Sequence, residues 1–257
     1  MIFYFLFTLI FFFGASVFSF VNVLIYRVPR KISFVQGRSH CPHCDHTLSF
    51  VDMIPFFGYF FLGGKCRYCQ SPISIRYALV ELLGGVLAIG CVLQFYTLGN
   101  GMSLVYTMLV FSLLAILTAV ALVDLDTMEI PNGFVISVGV LGLLTLIFPE
   151  PDLISKAIGF FVVSVPLLVI TLVVPGAFGG GDIKMMAVVG IFLGWELTLF
   201  SLWVAVLFGG IYAIYLVTTK QKDKKEHFAF GPFLCVGITF ALFLGKNMIN
   251  LYLSLLI

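Results

Sequence analysis

Long stretches without a charged side chain constrain this sequence more than any motif in it. Residues 1–26 carry no Asp, Glu, Lys or Arg, and neither do 82–123, 130–149, 157–181, 185–195, 197–219 or 227–245. Each block approaches or exceeds the roughly 17–25 apolar residues that cross a bilayer as a helix, except 185–195, which is short. With mean hydropathy +1.15 and 10% charged residues, the chain lies far outside the balance of a soluble domain. The first block lacks a basic leader region and ends directly at Arg27, Arg30 and Lys31, so it reads as a retained helix rather than a signal peptide. The turn-favouring residues of 97–103 split the block 82–123 in two.

The expected fold is therefore an all-α polytopic membrane protein with about eight transmembrane helices, near residues 2–25, 78–96, 104–124, 132–148, 154–174, 182–194, 198–218 and 232–255. Three regions follow: a first transmembrane helix (1–26), a hydrophilic loop (27–76) and a transmembrane core (77–257). With the amino terminus outside, Arg27, Arg30, Lys31, Arg38, Lys65, Arg67, Arg76, Lys184, Lys220, Lys222, Lys224 and Lys225 all fall in the cytoplasm, and only Lys156 and Lys246 outside. That asymmetry sets the orientation. The basic loops are thus accounted for by topology and the lipid bilayer, and a net charge of +2 gives no footing for a nucleic-acid partner.

The loop 27–76 carries "CPHC" at 41–44 and "CRYC" at 66–69. Two C-x-x-C pairs at this separation can each lend two thiolates to one tetrahedral zinc ion, so Cys41, Cys44, Cys66 and Cys69 are candidate ligands of a zinc-ribbon-like loop. A reducing compartment disfavours two disulfides there. Four cysteines leave no open position for water, which makes the zinc structural. His40, His43 and His46 are then solvated loop residues. Cys91 and Cys235, inside apolar runs, are small buried hydrophobes.

Sorting the twelve acidic residues by depth places Asp45 and Asp52 in the cysteine loop, Glu150 and Asp152 in an outer turn, Glu196 at an outer helix end and Asp223 and Glu226 beside lysines, which leaves Glu81, Asp124, Asp126, Glu129 and Asp182. Ionisable groups at membrane depth are costly and point to function. Asp124 ends one inward-running span, and the "GGGD" of 179–182 opens another on the same side. Two carboxylates sharing a proton can hydrolyse a peptide bond, one as base towards water and the other as acid towards the carbonyl oxygen. Gly179 and Gly181 would let an extended substrate approach the backbone. On a continuing helix Asp124 and Asp126 point about 200° apart, so only one of them can face Asp182. Pro131 disfavours helix at Ile130, and geometry alone does not choose between them. Asp182 has a plainer reading as a helix N-cap, and Asp126 and Glu129 as solvated helix-end residues.

Taken in order, "QGRSHCPHC", "CRYC", "VDLDTMEIPN" and "GGGDIKM" on apolar helices resemble the type IV prepilin peptidases, the Gly-x-Gly-Asp intramembrane aspartic proteases, over about residues 10–235. The resemblance implies removal of the basic leader from type IV prepilins or pilin-like precursors at the cytoplasmic face of the bacterial plasma membrane. It selects Asp124, six residues before Ile130, and Asp182 as the catalytic pair, with Asp126 as a tuning neighbour. It further implies methylation of the new amino terminus with S-adenosylmethionine, an activity associated with the cysteine loop, and gives Arg38, Glu81 and Lys184 binding or supporting roles. Two other classes compete: an ion or solute transporter using the same acids, and a non-catalytic assembly factor docking through its zinc loop. The transporter gives no reason for the cysteines, and no internal repeat supports it. Neither H-E-x-x-H nor Gly-x-Ser-x-Gly occurs, which removes the other intramembrane protease chemistries.

Overall fold

The computed structural model describes residues 2–35, 37, 39–41, 43–49, 51–219 and 228–256. Arg38 and the lysines at 220, 222, 224 and 225 lie outside the described residues. Among the described residues there are helices and no strands, as the absence of polar alternation in the apolar blocks demands. In lipid every backbone amide must be satisfied within its own segment. The chain divides into two units at Ala115/Ile116.

The first unit holds α1 (Ile2–Arg27), the cysteine loop with a 3-10 turn (Val51–Met53) and the short α2 (Phe57–Phe61), then α3 (Ile75–Phe95) and the start of α4 (Gly101–Thr127). Ser74 caps α3, its hydroxyl accepting from the Arg76 amide at 3.3 Å. Helices α1 and α3 pack through small residues: a Cβ on Gly14 would lie 2.4 Å from the Gly84 carbonyl oxygen. Asn22 of α1 donates its side-chain amide to the Tyr77 carbonyl, 3.1 Å away, and ties the inner ends of the two helices.

The second unit holds the rest of α4, α5 (Asn132–Leu144) with a 3-10 turn (Thr145–Ile147), α6 (Leu153–Val162), α7 (Ser164–Val173), α8 (Gly180–Leu193), α9 (Trp195–Thr218), α10 (Gly231–Phe240), a π-helical turn (Ala241–Gly245) and α11 (Lys246–Leu256). Among the described residues six segments are long and apolar enough to cross a membrane: Ile2–Arg27, Ile75–Phe95, Gly101–Thr127, Leu153–Val173, Trp195–Thr218 and Gly231–Leu255. The expected spans near 132–148 and 182–194 are helical but shorter, Asn132–Ile147 and the 14-residue α8. At 1.5 Å per residue, α8 reaches only about 21 Å of a hydrocarbon core roughly 30 Å thick.

One expected span, 154–174, is interrupted. Pro166 has no N–H to give the Val162 carbonyl, and its ring crowds that oxygen, so α6 ends at Val162 and α7 restarts at Ser164. Asp152 caps α6 by accepting from the Ser155 amide at 3.1 Å. Lys156, expected on the outer side near the start of that span, is buried, and its Nζ donates to the Thr145 carbonyl at 2.5 Å. The ammonium satisfies the carbonyl end of the preceding helix, a favourable place for a cation.

α8 fits tightly among its neighbours. Gly194, at φ +76°, lets the chain turn from α8 into α9 within one residue; a side chain there would be strained and would strike Ser155. α8 and α6 touch backbone to backbone, since a Cβ on Gly190 would sit 2.0 Å from the Gly159 carbonyl oxygen. Such contact is how helices gain packing in lipid, where no hydrophobic drive joins them. Gly210 on α9 has nothing within 4 Å of its Cβ position. Gly190→Ala is expected to cost about 1–3 kcal/mol through overpacking, whereas Gly210→Ala should gain up to about 1 kcal/mol of helix propensity. Thermal unfolding of the two variants in one detergent checks this; equal melting temperatures would mean the α6–α8 approach is not limiting.

Candidate active site and metal centre

The last turn of α4 presents Asp124 inward, with 5% of its surface exposed, while Asp126 and Leu125 are exposed. The helix continues to Thr127, so the 200° separation expected of residues two apart is realised and one carboxylate alone turns into the protein. Met128, at φ 54°, then ends the helix, and Pro131 caps the start of α5. Asp182 is buried at 7% exposure in the first turn of α8. Its carboxylate is close enough to Asp124 for the two charges to act on each other, and both act on the buried Cys235 thiol of α10.

Each carboxylate takes a hydrogen bond from a glycine amide. The Gly231 N–H donates to Asp124 Oδ2 at 3.0 Å, and the Gly179 N–H donates to Asp182 Oδ2 at 3.2 Å. The two donors begin α10 and cap α8, so the positive ends of two helices meet the two acids. Phe178 and Phe230, the residues before these donors, pack ring to ring at 5.5 Å and hold the two helix starts together. Asp182 is the third residue of α8 and reaches back to its cap, so the N-cap is Gly179.

The three glycines before Asp182 are not equivalent. A Cβ on Gly181 would lie 2.8 Å from the Ile130 side chain, so this position must stay bare for α8 to approach the link between α4 and α5. Gly179 supplies the amide, and its Cβ position lies 3.1 Å from Asp182 Oδ2. Gly180 meets nothing within 4 Å. Sterics thus reproduce a Gly-x-Gly-Asp pattern with a permissive middle residue.

Of the remaining candidates, Lys184 is exposed and its Nζ donates to Asn132 Oδ1 at 3.3 Å. Glu81 belongs to the first unit, half-buried on α3, where its Oε2 accepts from the Phe56 amide at 2.7 Å and Ser19 adds a second hydrogen bond. Sequence reasoning missed Gly231, and it treated Cys235 only as a buried hydrophobe. The signal available for Gly231 was "FGP" at 230–232, a glycine before a proline at the opening of an apolar run.

In the first unit the sulfur atoms of Cys41, Cys44, Cys66 and Cys69 all lie within 4.8 Å of one another. The Cys41 and Cys69 sulfurs are 3.8 Å apart, close to the ~3.8 Å edge of a tetrahedron with metal–sulfur bonds of about 2.3 Å. The two knuckles are copies. In each, the first cysteine amide donates to the carbonyl five residues on, Cys41 to His46 and Cys66 to Ser71, at 3.0 and 2.9 Å. In each, the residue four after that cysteine takes positive φ, Asp45 at 54° and Gln70 at 59°. Two equivalent turns thereby aim their thiols at one point. The His43 amide leads in drawing the Cys41 thiol down to about 6 and the Ser71 hydroxyl leads in lowering Cys69, while Cys44, despite the His46 amide, is pushed up to about 11 by desolvation and the neighbouring cysteines. His46 packs against Tyr68 with ring centroids 3.6 Å apart and the rings tilted by 35°, and His40 lies 4.0 Å from Asp45; neither belongs to the four-sulfur cluster. Burial raises the Asp52 carboxyl, but the Ser49 hydroxyl and amide and the Arg67 guanidinium outweigh it and hold the group below its ordinary range. This ties the stretch between the knuckles to the second one.

Comparison with known proteins falls on the same residues. Residues 12–95 match the Bacterial Peptidase A24 N-terminal domain, and residues 110–214 match the Type IV leader peptidase family. The prepilin leader peptidase/N-methyltransferase of Bacillus subtilis (strain 168) is 31% identical over 249 residues, covering 96% of this chain and 98% of that protein. Proteins of the same name from Aeromonas salmonicida (strain A449) and Myxococcus xanthus (strain DK1622) are 29% and 36% identical, over 96% and 83% of this chain and 94% and 64% of their own lengths. No solved structure matches. A buried aspartate pair on α4 and α8, a four-cysteine cluster in the preceding loop and relatives aligned end to end carry one conclusion: the chain belongs to the type IV leader peptidase family.

Proposed function

We propose that this protein is an intramembrane aspartic endopeptidase that removes the leader of type IV prepilins or pilin-like precursors, and that it methylates the amino terminus it exposes. The observation that carries the peptidase reading is the pair itself: two buried, mutually interacting carboxylates, each held by one glycine amide. Asp124 and Asp182 hold one proton between them. The ionised member takes a proton from water as the oxygen attacks the scissile carbonyl, while the protonated member gives its proton to the carbonyl oxygen. The tetrahedral diol then collapses, and the leaving nitrogen receives a proton from the pair. Charges this close titrate as a unit, so acid and base are roles of the pair.

The name shared by the relatives, prepilin leader peptidase/N-methyltransferase, supports the second activity, and the cysteine loop supports a structural metal. Cys41, Cys44, Cys66 and Cys69 would hold one zinc ion, which supplies fold rather than reaction chemistry because four thiolates leave no site for water. The division of labour follows: residues 27–76 form a methyl-transfer region and 77–257 the peptidase core, with 1–26 as the first span. In the plasma membrane, with the amino terminus outside, both face the cytoplasm, where a prepilin's basic leader lies while its apolar helix remains in the lipid.

Cleavage of a purified prepilin, followed by product mass, tests the pair. Asp124→Asn and Asp182→Asn should each lose on the order of 10²–10⁴-fold in rate, and Asp126→Asn should stay close to the parent. Full cleavage by either of the first two would sink the assignment. Gly231→Ala brings a methyl within 2.6 Å of Asp124 Oδ2, and displacing that carboxylate should cost about 10²-fold in kcat. Gly181→Ala should be similarly damaging, while Gly180→Ala should leave the rate intact; the reverse order would refute the steric account of the motif.

Metal analysis of the protein purified without chelator should find one zinc per chain, falling to well under half in Cys44→Ser. Because the metal folds the loop, trypsin should cut after Lys65 and Arg67 rapidly only once zinc is stripped. Equal cutting with and without zinc would mean the loop folds without it.

A further inference from the structure

Between the two cysteine knuckles, residues 53–64 read "MIPFFGYFFLGG", twelve positions without a charge in the middle of the hydrophilic loop. They touch the interiors of two spanning helices rather than their ends. The Phe57 ring stacks on Phe12 of α1 with centroids 5.9 Å apart. The Phe56 amide donates at 2.7 Å to Glu81 of α3, a carboxylate that Ser19 of α1 also bonds. Arg27 is the first charge of the chain. Ser19 and Phe12 precede it by 8 and 15 residues, about 12 and 22 Å along a helix. Glu81 lies 6 residues into α3, about 9 Å from its first residue. Against half of a hydrocarbon core roughly 30 Å thick, these contacts carry the tip of the segment well inside one leaflet. The chain is shaped for such an excursion. It leaves Asp52, which is joined to Arg67 of the second knuckle, turns at Phe56 (φ 64°), and returns through α2 to Gly63 and Gly64 at φ 59° and 68°. Backbone at membrane depth must be paired internally or line a polar cavity. The amides of Leu62 to Lys65 donate to carbonyls three to five residues back, and Asp52, Ile54 and Tyr59 line a cavity of about 440 Å³. What faces outward is apolar: Phe57, Phe60 and Phe61 are exposed, Phe61 by 75%.

We propose that residues 53–62 form a re-entrant segment in the leaflet that adjoins Arg27, with Phe57, Phe60 and Phe61 seated among phospholipid acyl chains. The occupant follows from continuity with the lipid-facing surface of α1. Phe5 and Leu9, seven and three residues before Phe12 on the same helix face, are exposed where a span meets lipid, and the ring cluster packed on Phe12 extends that surface. Exposed rings of this number would drive association if they stood in water. At membrane depth they need no protein partner. The loop is thereby fastened to the bilayer between its two knuckles, which holds the four cysteines at a fixed height on the membrane surface. The inference needs α1 and α3 to span the bilayer, and it is independent of the peptidase and methyl-transfer readings.

The test uses the full-length protein, purified without chelator, in nanodiscs of phosphatidylethanolamine and phosphatidylglycerol. Trp195→Phe and Trp203→Phe together remove the only two indoles of the chain. In that background Phe60→Trp or Phe61→Trp places one indole in the segment, and Tyr68→Trp places one in the exposed second knuckle. Bromine on the acyl chains, inside a core roughly 30 Å thick, should cut the emission of the first two at least about twofold and leave the third unchanged. Aqueous acrylamide should do the reverse. Unchanged helicity by circular dichroism shows that each variant is folded. On the unaltered protein, a phospholipid with a diazirine in its acyl chain should label peptides within 53–62. Acrylamide quenching at positions 60 and 61 without bromine quenching would put the segment in water and overturn the proposal. Quenching by neither reagent, or the absence of lipid label from 53–62, would mean that protein rather than lipid covers the rings and would equally overturn it.

Discussion

Two carboxylates buried side by side at the ends of apolar helices are the most expensive feature of this chain, and the architecture around α8 answers to them. A charge at membrane depth is tolerated only with partners, and like charges at short range raise the cost of ionising both. The partners here are backbone amides rather than cations. Gly231 and Gly179 each donate one N–H, and each stands at the start of a helix whose dipole favours an anion. A lysine or arginine in the same place would neutralise the pair too well, trapping both members as carboxylates and leaving no acid to protonate a carbonyl. Amides stabilise without fixing the protonation state, which the proposed hydrolysis by a shared proton requires.

That solution imposes a demand on distance. For an amide to reach a carboxylate on a neighbouring helix, backbones must approach more closely than side chains ordinarily permit. Gly231 lies where a methyl would collide with Asp124, Gly181 where one would collide with Ile130, and Gly190 where one would enter Gly159. α8 is therefore short and gripped along its length, and its turn into α9 at Gly194 is as tight as a chain can make. Placement of acids on packed helices, rather than on loops, keeps the pair in register through close glycine contacts and the Phe178–Phe230 ring contact.

Much of this was legible in the sequence, and the parts that were not share a cause. Charge-free runs located the helices, since lipid leaves the backbone no alternative. The paired C-x-x-C spacing marked the four sulfurs that now lie within 4.8 Å. What periodicity could not decide was whether Asp124 or Asp126 faces inward, because that depends on how far α4 continues before Met128 turns left-handed. The break at Val163 was written in Pro166, but a hydropathy block does not register a missing N–H. Gly231 was invisible for a stronger reason: its partner is 107 residues away, and a glycine carries no side chain to announce a role.

The cysteine loop solves a different problem with the same economy. The stretch between the knuckles is too small to bury a core, and it contains Phe56 at φ 64°, a conformation costing a bulky residue about 1–3 kcal/mol. Two anchors offset that cost from opposite ends. At one, Asp52 joins Arg67 beside the second knuckle, where the four cysteine sulfurs of the two knuckles converge within 4.8 Å. At the other, the strained Phe56 amide donates to Glu81 on α3 at 2.7 Å. Asp52, Met53, Ile54 and Tyr59 of this segment line a cavity of about 440 Å³. Glu81 thus accepts from the Phe56 amide with one oxygen and also lines that cavity, so one carboxylate both anchors the loop and adds polarity beside it.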